Sequence, residues 1–156
     1  FFWLAMGLKV GDFIPDFSLN DQFGNVFSSS QIKGVKPMVI YFYPKDDTPG
    51  CTKEACTFRD RYEDFKELGA KVIGISSDSE ESHPEFSKKY NLPFILLADR
   101  NNAVRKAFKV RKSLLIIPGR ETYVTDKNGK IIMVFNSMNA ARHTDEAIEA
   151  LQSLNQ

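Results

Sequence analysis

Cysteine is scarce in this 156-residue chain: Cys51 and Cys56 are the only two. So few cysteines exclude a disulfide-stapled scaffold. Histidine is as scarce, with His83 and His143 alone. A four-ligand zinc site would need both histidines to converge on the cysteine pair, so no metal is expected. There is no surplus of either charge, since 21 Lys and Arg stand against 20 Asp and Glu. A nucleic-acid or anionic-membrane footprint needs a surplus of cations on one face, and neither partner is expected. No run approaches the roughly 20 apolar residues that span a bilayer. Repeats, low-complexity tracts and linkers are absent too.

What is present suits one globular domain. The chain is 42% hydrophobic and carries 13 Phe. A chain this long buries roughly 70% of its unfolded surface, enough for an ordinary core. Residues 1–6 begin with Phe1-Phe2-Trp3-Leu4-Ala5, too short for a signal sequence. They are set aside as the end of a leader or a vector-derived remnant, leaving residues 7–156 as the domain.

Strand and helix signals alternate. Phe17–Leu19 and Val26–Phe27 flank a loose turn and predict a hairpin. Met38–Tyr43 is a six-residue apolar run, as a strand buried on both faces requires. A helix is predicted from Cys51 to Leu68, with Ala55, Phe58, Tyr62 and Phe65 on one face. Ala70–Ser76 reads as a second strand, and residues 80–90 as a helix with Glu80, Glu81 and Glu85 early and Lys88 and Lys89 late. Phe94–Ala98 is a short strand, Asn101–Phe108 a short helix, and residues 109–119 irregular. Glu121–Thr125 and Lys130–Phe135 make a hairpin whose turn comes from Asn128-Gly129. Thr144–Leu154 closes the chain as a helix with Ala147, Ile148, Leu151 and Leu154 inward. This order implies a mixed central sheet with helices on both faces.

Cys51 falls where a strand ends, a turn-rich loop follows and a helix begins. The first N–H groups of a helix lack partners and carry partial positive charge. A thiol there, beside a cation, is favoured as the reactive thiolate. Asp46 and Asp47 are expected to face solvent or cap backbone groups. Five residues of ideal helix separate Cys51 from Cys56 by about 8.7 Å between Cα atoms and about 140° around the axis. A disulfide needs Cα atoms within about 7 Å, so the two can join only if the helix unwinds. The plainer reading of either residue is a small apolar side chain in the core, which is more plausible for Cys56.

The run Tyr41-Phe42-Tyr43-Pro44-Lys45-Asp46-Asp47-Thr48-Pro49-Gly50-Cys51-Thr52-Lys53-Glu54-Ala55-Cys56 resembles the peroxiredoxin signature. Pro44, Thr48 and Cys51 match its Pro-x-x-x-Thr-x-x-Cys pattern. Cys56 matches the second cysteine of the subgroup called peroxiredoxin Q or bacterioferritin comigratory protein. The likeness extends over about residues 8–154, including Pro118–Tyr123 and the Asp126–Gly129 turn.

The resemblance implies a thioredoxin-like fold and a thiol peroxidase that needs no cofactor. In that cycle Cys51 attacks the hydroperoxide and becomes a sulfenic acid. Cys56 condenses with it to an intramolecular disulfide, and thioredoxin or a similar dithiol restores both thiols. Thr48 is expected to bond the thiolate and the peroxide, Pro44 to shield the pocket, and Arg120 to stabilise the thiolate and the developing charge. The N–H groups of Gly50 and Cys51 would bond the same oxygens, and Glu54 would orient an arginine. A monomer is expected, in the cytoplasm or, if residues 1–5 end a leader, in an organelle such as a plastid.

Residues 111–117 can cover the pocket, contact a reductant, form a dimer face or simply pack back on the core. His83 and His143 are expected at the surface or at helix ends. Two other readings compete. A thioredoxin-like disulfide oxidoreductase expects Cys-x-x-Cys, and here four residues intervene. A binding protein that lost its activity would leave the joint presence of Pro44, Thr48, Cys51 and Arg120 unexplained.

Overall fold

The computed structural model describes residues 8–78, 81–110, 112–113, 117–118 and 120–155. Its centre is a five-stranded mixed sheet in the order β5-β4-β3-β8-β9. Here β3 is Met38–Phe42, β4 Lys71–Ser76, β5 Ile95–Ala98, β8 Glu121–Thr125 and β9 Ile131–Asn136. The first three run parallel, while β8 is antiparallel to both β3 and β9. A separate hairpin pairs β1 (Ser18–Asn20) with β2 (Val26–Ser28).

The central strand β3 explains why its sequence is apolar throughout: all five residues are buried. Met38, Ile40 and Phe42 point to one face, where they meet Phe17, Phe27 and Phe108. Val39, Tyr41 and the following Tyr43 point to the other, against Ala55, Phe58 and Phe65. The alternation is the period-2 geometry of a strand. Tyr41 stacks on Phe58 with ring centroids 4.6 Å apart. Each such fully buried aromatic contributes roughly 1.5–3 kcal/mol through area removed from water.

The helices are α1 (Pro49–Asp60), α2 (Tyr62–Glu67), α3 (Ser82–Lys89), α4 (Ala103–Ala107) and α5 (Ala140–Ser153). α1, α2, α3 and α5 supply the core on the Tyr41 side. α4 and the hairpin cover the opposite face. Helices therefore lie on both sides of the sheet, but unequally.

Several boundaries differ from the sequence reading. The first helix starts at Pro49 and not at Cys51, because Pro is well suited to the first helical position. It is also jointed at Arg61, whose backbone (φ −106°, ψ 14°) leaves the helical region. The last helix starts at Ala140, four residues early, and ends at Ser153, which leaves Leu154 38% exposed instead of inward. The late hairpin turns through Asp126–Gly129, closed by the Gly129 N–H to Asp126 O at 3.1 Å with Gly129 at φ 84°. Within residues 109–119, β6 (Lys112–Ser113) pairs antiparallel with β7 (Ile117–Pro118). The rest of the 111–117 reading, like the placement of Glu80 and of residues 1–6, lies outside the described residues.

Candidate active site

Strand β3 delivers the chain to the site and α1 presents it. Thr48 caps α1 in an extended conformation, Pro49 and Gly50 follow, and Cys51 is the third helical residue. The helical ladder begins with Thr52 N–H to Thr48 O at 2.8 Å. The N–H groups of Gly50 and Cys51 precede it, so they have no acceptor within the helix. Cys51 is buried, and both cysteines are free thiols.

Arg120, just before β8, reaches Cys51 from across the sheet. Its Nη2 donates to Cys51 Sγ at 3.4 Å, and its Nη1 donates to Glu54 Oε1 at 2.5 Å. Arg120 is 4% exposed and Glu54 fully buried. Burial opposes the guanidinium charge, but Glu54 and Cys51 outweigh it and hold Arg120 above its ordinary range. Burial also pushes Glu54 up to about 8, against the pull of Arg120. Gly50 makes this approach possible, since a Cβ there would lie 3.0 Å from Arg120 Nη2. The structure therefore brings Cys51, Gly50, Glu54 and Arg120 together.

It treats the other expected residues differently. The Thr48 hydroxyl donates to Lys45 O at 2.9 Å and not to the cysteine. Pro44 is half-buried beside the loop. Cys56 is half-buried farther along the same helix, so the separation expected from five helical residues stands.

One expectation is overturned. Asp46 does not face solvent: it is 6% exposed and accepts from Tyr43 Oη at 2.6 Å and Ser82 Oγ at 2.9 Å. His83 Nδ1 lies 2.5 Å from the same carboxylate, and its Nε2 meets Leu97 O at 3.0 Å. Of the two positions expected for the histidines, the helix ends hold: His83 lies in the first turn of α3 and His143 in the first turn of α5, both fully buried. Asp46 is buried because it gathers three partners, Tyr43 after β3 and Ser82 and His83 of α3, which offsets its desolvation. Asp47, at φ 55°, stays exposed and takes Lys89 Nζ and Tyr90 Oη, each at 2.9 Å. Together Asp46 and Asp47 bind the loop before Cys51 to α3 and the residue after it.

His143, on α5, lies behind Glu54. Its Nδ1 is 2.7 Å from Thr122 Oγ1 and 3.6 Å from Glu54 Oε2, and its Nε2 is 2.7 Å from Ser137 O. Burial, with Arg120 and Arg142 adding to it, holds this imidazole down to about 4 although the Ser137 bond favours its charge.

A thiol at a helix start, held by a buried arginine that a carboxylate orients, can act as a nucleophile toward a substrate that develops negative charge. Among the described residues no group of three or more His, Cys, Asp or Glu could hold a metal ion. Likewise, no described helix is long and apolar enough to cross a membrane.

Comparison with known proteins agrees with this geometry. Residues 10–134 match the AhpC/TSA family. The chloroplastic peroxiredoxin Q of Sedum lineare is 56% identical over 142 residues, 90% of this chain and 76% of that protein. Peroxidoxin BcpB of Mycobacterium tuberculosis superposes with a TM-score of 0.86 at 37% identity, over 96% of this chain and 99% of that one. The bacterioferritin comigratory protein of Xanthomonas campestris, studied for alkyl peroxide reduction, superposes with a TM-score of 0.83 at 31% identity, over 90% and 92%.

Proposed function

Since this chain belongs to the AhpC/TSA family and is a thiol-dependent peroxidase of the peroxiredoxin Q type, we propose that Cys51 is its peroxide-reacting nucleophile and Cys56 its resolving partner. Hydroperoxide is the substrate and a thiol the reductant. The observation that carries the residue assignment is the Arg120 Nη2 to Cys51 Sγ contact at 3.4 Å. A guanidinium there favours the thiolate and meets the charge that grows on the departing oxygen.

The Cys51 thiolate attacks the terminal peroxide oxygen. The S–O bond forms as the O–O bond breaks, and the leaving alkoxide or hydroxide takes a proton. The free N–H groups of Gly50 and Cys51 lie where they can bond those oxygens. Thr48 has committed its hydrogen to Lys45 O, so toward substrate it serves as an acceptor for the hydroperoxide O–H. Pro44 walls the loop beside it. Cys56 then displaces water from the Cys51 sulfenic acid, which requires the first turns of α1 to unwind. A dithiol of the thioredoxin type reduces the disulfide by exchange. The domain works as a monomer. Relatives named as chloroplastic favour a plastid over the cytoplasm expected from sequence.

The test is a thiol count and intact mass before and after one equivalent of hydrogen peroxide. The cycle loses two thiols and about 2 Da without a dimer, because two hydrogens leave. Cys51→Ser abolishes turnover. Cys56→Ser still oxidises once at Cys51 but forms no intramolecular disulfide. Normal cycling of either variant would remove that residue from its role.

A further inference from the structure

One buried atom beside the nucleophile has no donor. Glu54 Oε1 receives Arg120, but Oε2 has no hydrogen-bond partner. What faces it is decided by the tautomer of His143. The Ser137 carbonyl 2.7 Å from Nε2 can only accept, so Nε2 carries the hydrogen. The imidazole is neutral at pH 7, being held down to about 4. Nδ1 is therefore a bare lone pair, to which the Thr122 hydroxyl donates at 2.7 Å. Glu54 Oε2 looks onto that lone pair across 3.6 Å. An ionised oxygen would meet an acceptor there and no donor, which is costly in a buried site. A protonated Oε2 is uncharged and escapes that opposition, so the acid form suits the site.

The groups around Glu54 are few. Cys51 shares its helix, Arg120 and Thr122 come from the start of β8, and His143 comes from α5 with Arg142 behind it. Tyr41 on β3 stays neutral, since burial, then Glu54 and Cys51, hold its hydroxyl well above the ordinary range. Arg105 of α4 also acts on Cys51, but Asp99 and then Glu121 meet its charge first; Arg120 is the positive charge that Cys51 and Glu54 both contact, and the two acids compete to balance it.

We propose that Cys51 and Glu54 share a single acidic proton against the charge of Arg120, and that His143 is the positioning residue that makes the protonated carboxyl its resting place. The two forms are thiol with carboxylate, and thiolate with carboxylic acid. Between them an S–H bond breaks, an O–H bond forms and no electron moves. The reaction with peroxide then balances within the site. Thiolate, hydroperoxide and carboxylic acid give sulfenic acid, alcohol and carboxylate. Sulfur loses two electrons, the O–O bond gains them, and the Glu54 proton ends on the leaving oxygen. Arg120 keeps one anionic partner before and after. This rests on Cys51 as nucleophile and goes beyond an orienting role for Glu54.

The test is infrared difference spectroscopy of the reduced full chain. At pH 7 a C=O band of a protonated carboxylic acid is expected, absent in Glu54→Gln and lost in wild type with a midpoint at about pH 8. One equivalent of hydrogen peroxide at pH 7 should abolish the band, and Cys51→Ser, which leaves Glu54 as the one anion available to Arg120, should lack it at pH 7 even before peroxide. His143→Phe should move the midpoint down by about one unit, as loss of the lone pair facing Oε2 removes what disfavours the carboxylate. No band at pH 7, or a band that survives oxidation of Cys51, overturns the shared proton. An unshifted midpoint in His143→Phe removes His143 from the scheme; if that variant does not fold, the wild-type spectra still decide. Peroxidase turnover in Cys51→Ser would instead overturn the nucleophile assignment.

Discussion

Arg120→Lys keeps the charge at the site and removes its fork. In the wild type, Nη1 and Nη2 engage Glu54 and Cys51 at once. A lysine ammonium is a single point on a thinner stem and cannot serve both partners in that geometry. The variant therefore loses a charge-assisted hydrogen bond to sulfur, worth about 1.5–3 kcal/mol. If that bond is held through the transition state, oxidation of Cys51 slows about 10- to 150-fold, since each 1.36 kcal/mol is tenfold. The assay is stopped-flow oxidation of the reduced protein by hydrogen peroxide, carried out on a Cys56→Ser background so that only the first step is read. Thermal unfolding of the same samples separates a lost contact from a lost fold. A rate within about threefold of the parent, less than about 0.7 kcal/mol, would refute the assignment of Arg120 to the reacting sulfur.

Gly50→Ala places a methyl 3.0 Å from Arg120 Nη2; the guanidinium must give way, and the same assay should show roughly tenfold slower oxidation. Asp46→Ala strips the acceptor from the buried Tyr43 hydroxyl and His83 Nδ1. At about 1–3 kcal/mol for each orphaned group, urea unfolding should register a loss of about 2–6 kcal/mol. The pH dependence of stability follows from two buried groups. Glu54 is raised from 4.5 to about 8 on folding, so the stability it contributes is complete below 4.5 and is lost as pH rises through 8. His143 is lowered from 6.5 to about 4, so its contribution is lost as pH falls from 6.5 through 4. The two slopes oppose each other between 4.5 and 6.5. Between 6.5 and 8 the shared proton offsets the Glu54 loss, because Cys51 carries that proton in the unfolded chain and Glu54 carries it in the folded one. Urea midpoints across that range should stay level in wild type; a fall worth about 2 kcal/mol would mean that Glu54 takes up a proton on folding that Cys51 does not release.

The elements were legible where periodicity is strong. Met38–Phe42 is apolar at every position because both faces of β3 are covered. Cys51, Glu54 and Arg120 were legible because a family pattern fixes their spacing, although Glu54 and Arg120 lie 66 positions apart. The start of α1 could have been read from Thr48-Pro49, since Pro favours the first helical turn. The buried polar groups could not. Asp46 meets His83 across 37 positions, and His143 meets Thr122 across 21. A lone His or Asp defaults to the surface until a partner is known, and no local signal names that partner. The hydrogen-bond direction at Thr48 was hidden for a related reason: its hydroxyl donates to a carbonyl three residues away, a local bond that competes with a more distant one.

The joint at Arg61 acts as a mechanical fuse. The Arg61 side chain is held by Asp64 at 2.6 Å and by Asp145 of α5 at 3.3 Å, so the segment beyond it has its own anchors. When α1 comes apart to let the sulfurs meet, the disturbance has a defined place to stop. Phe65 and the rest of α2 keep their seats in the core, and the chain that must re-form after reduction is three turns long. Its recovery belongs to helix–coil relaxation, on the order of a microsecond, and not to the refolding of a domain.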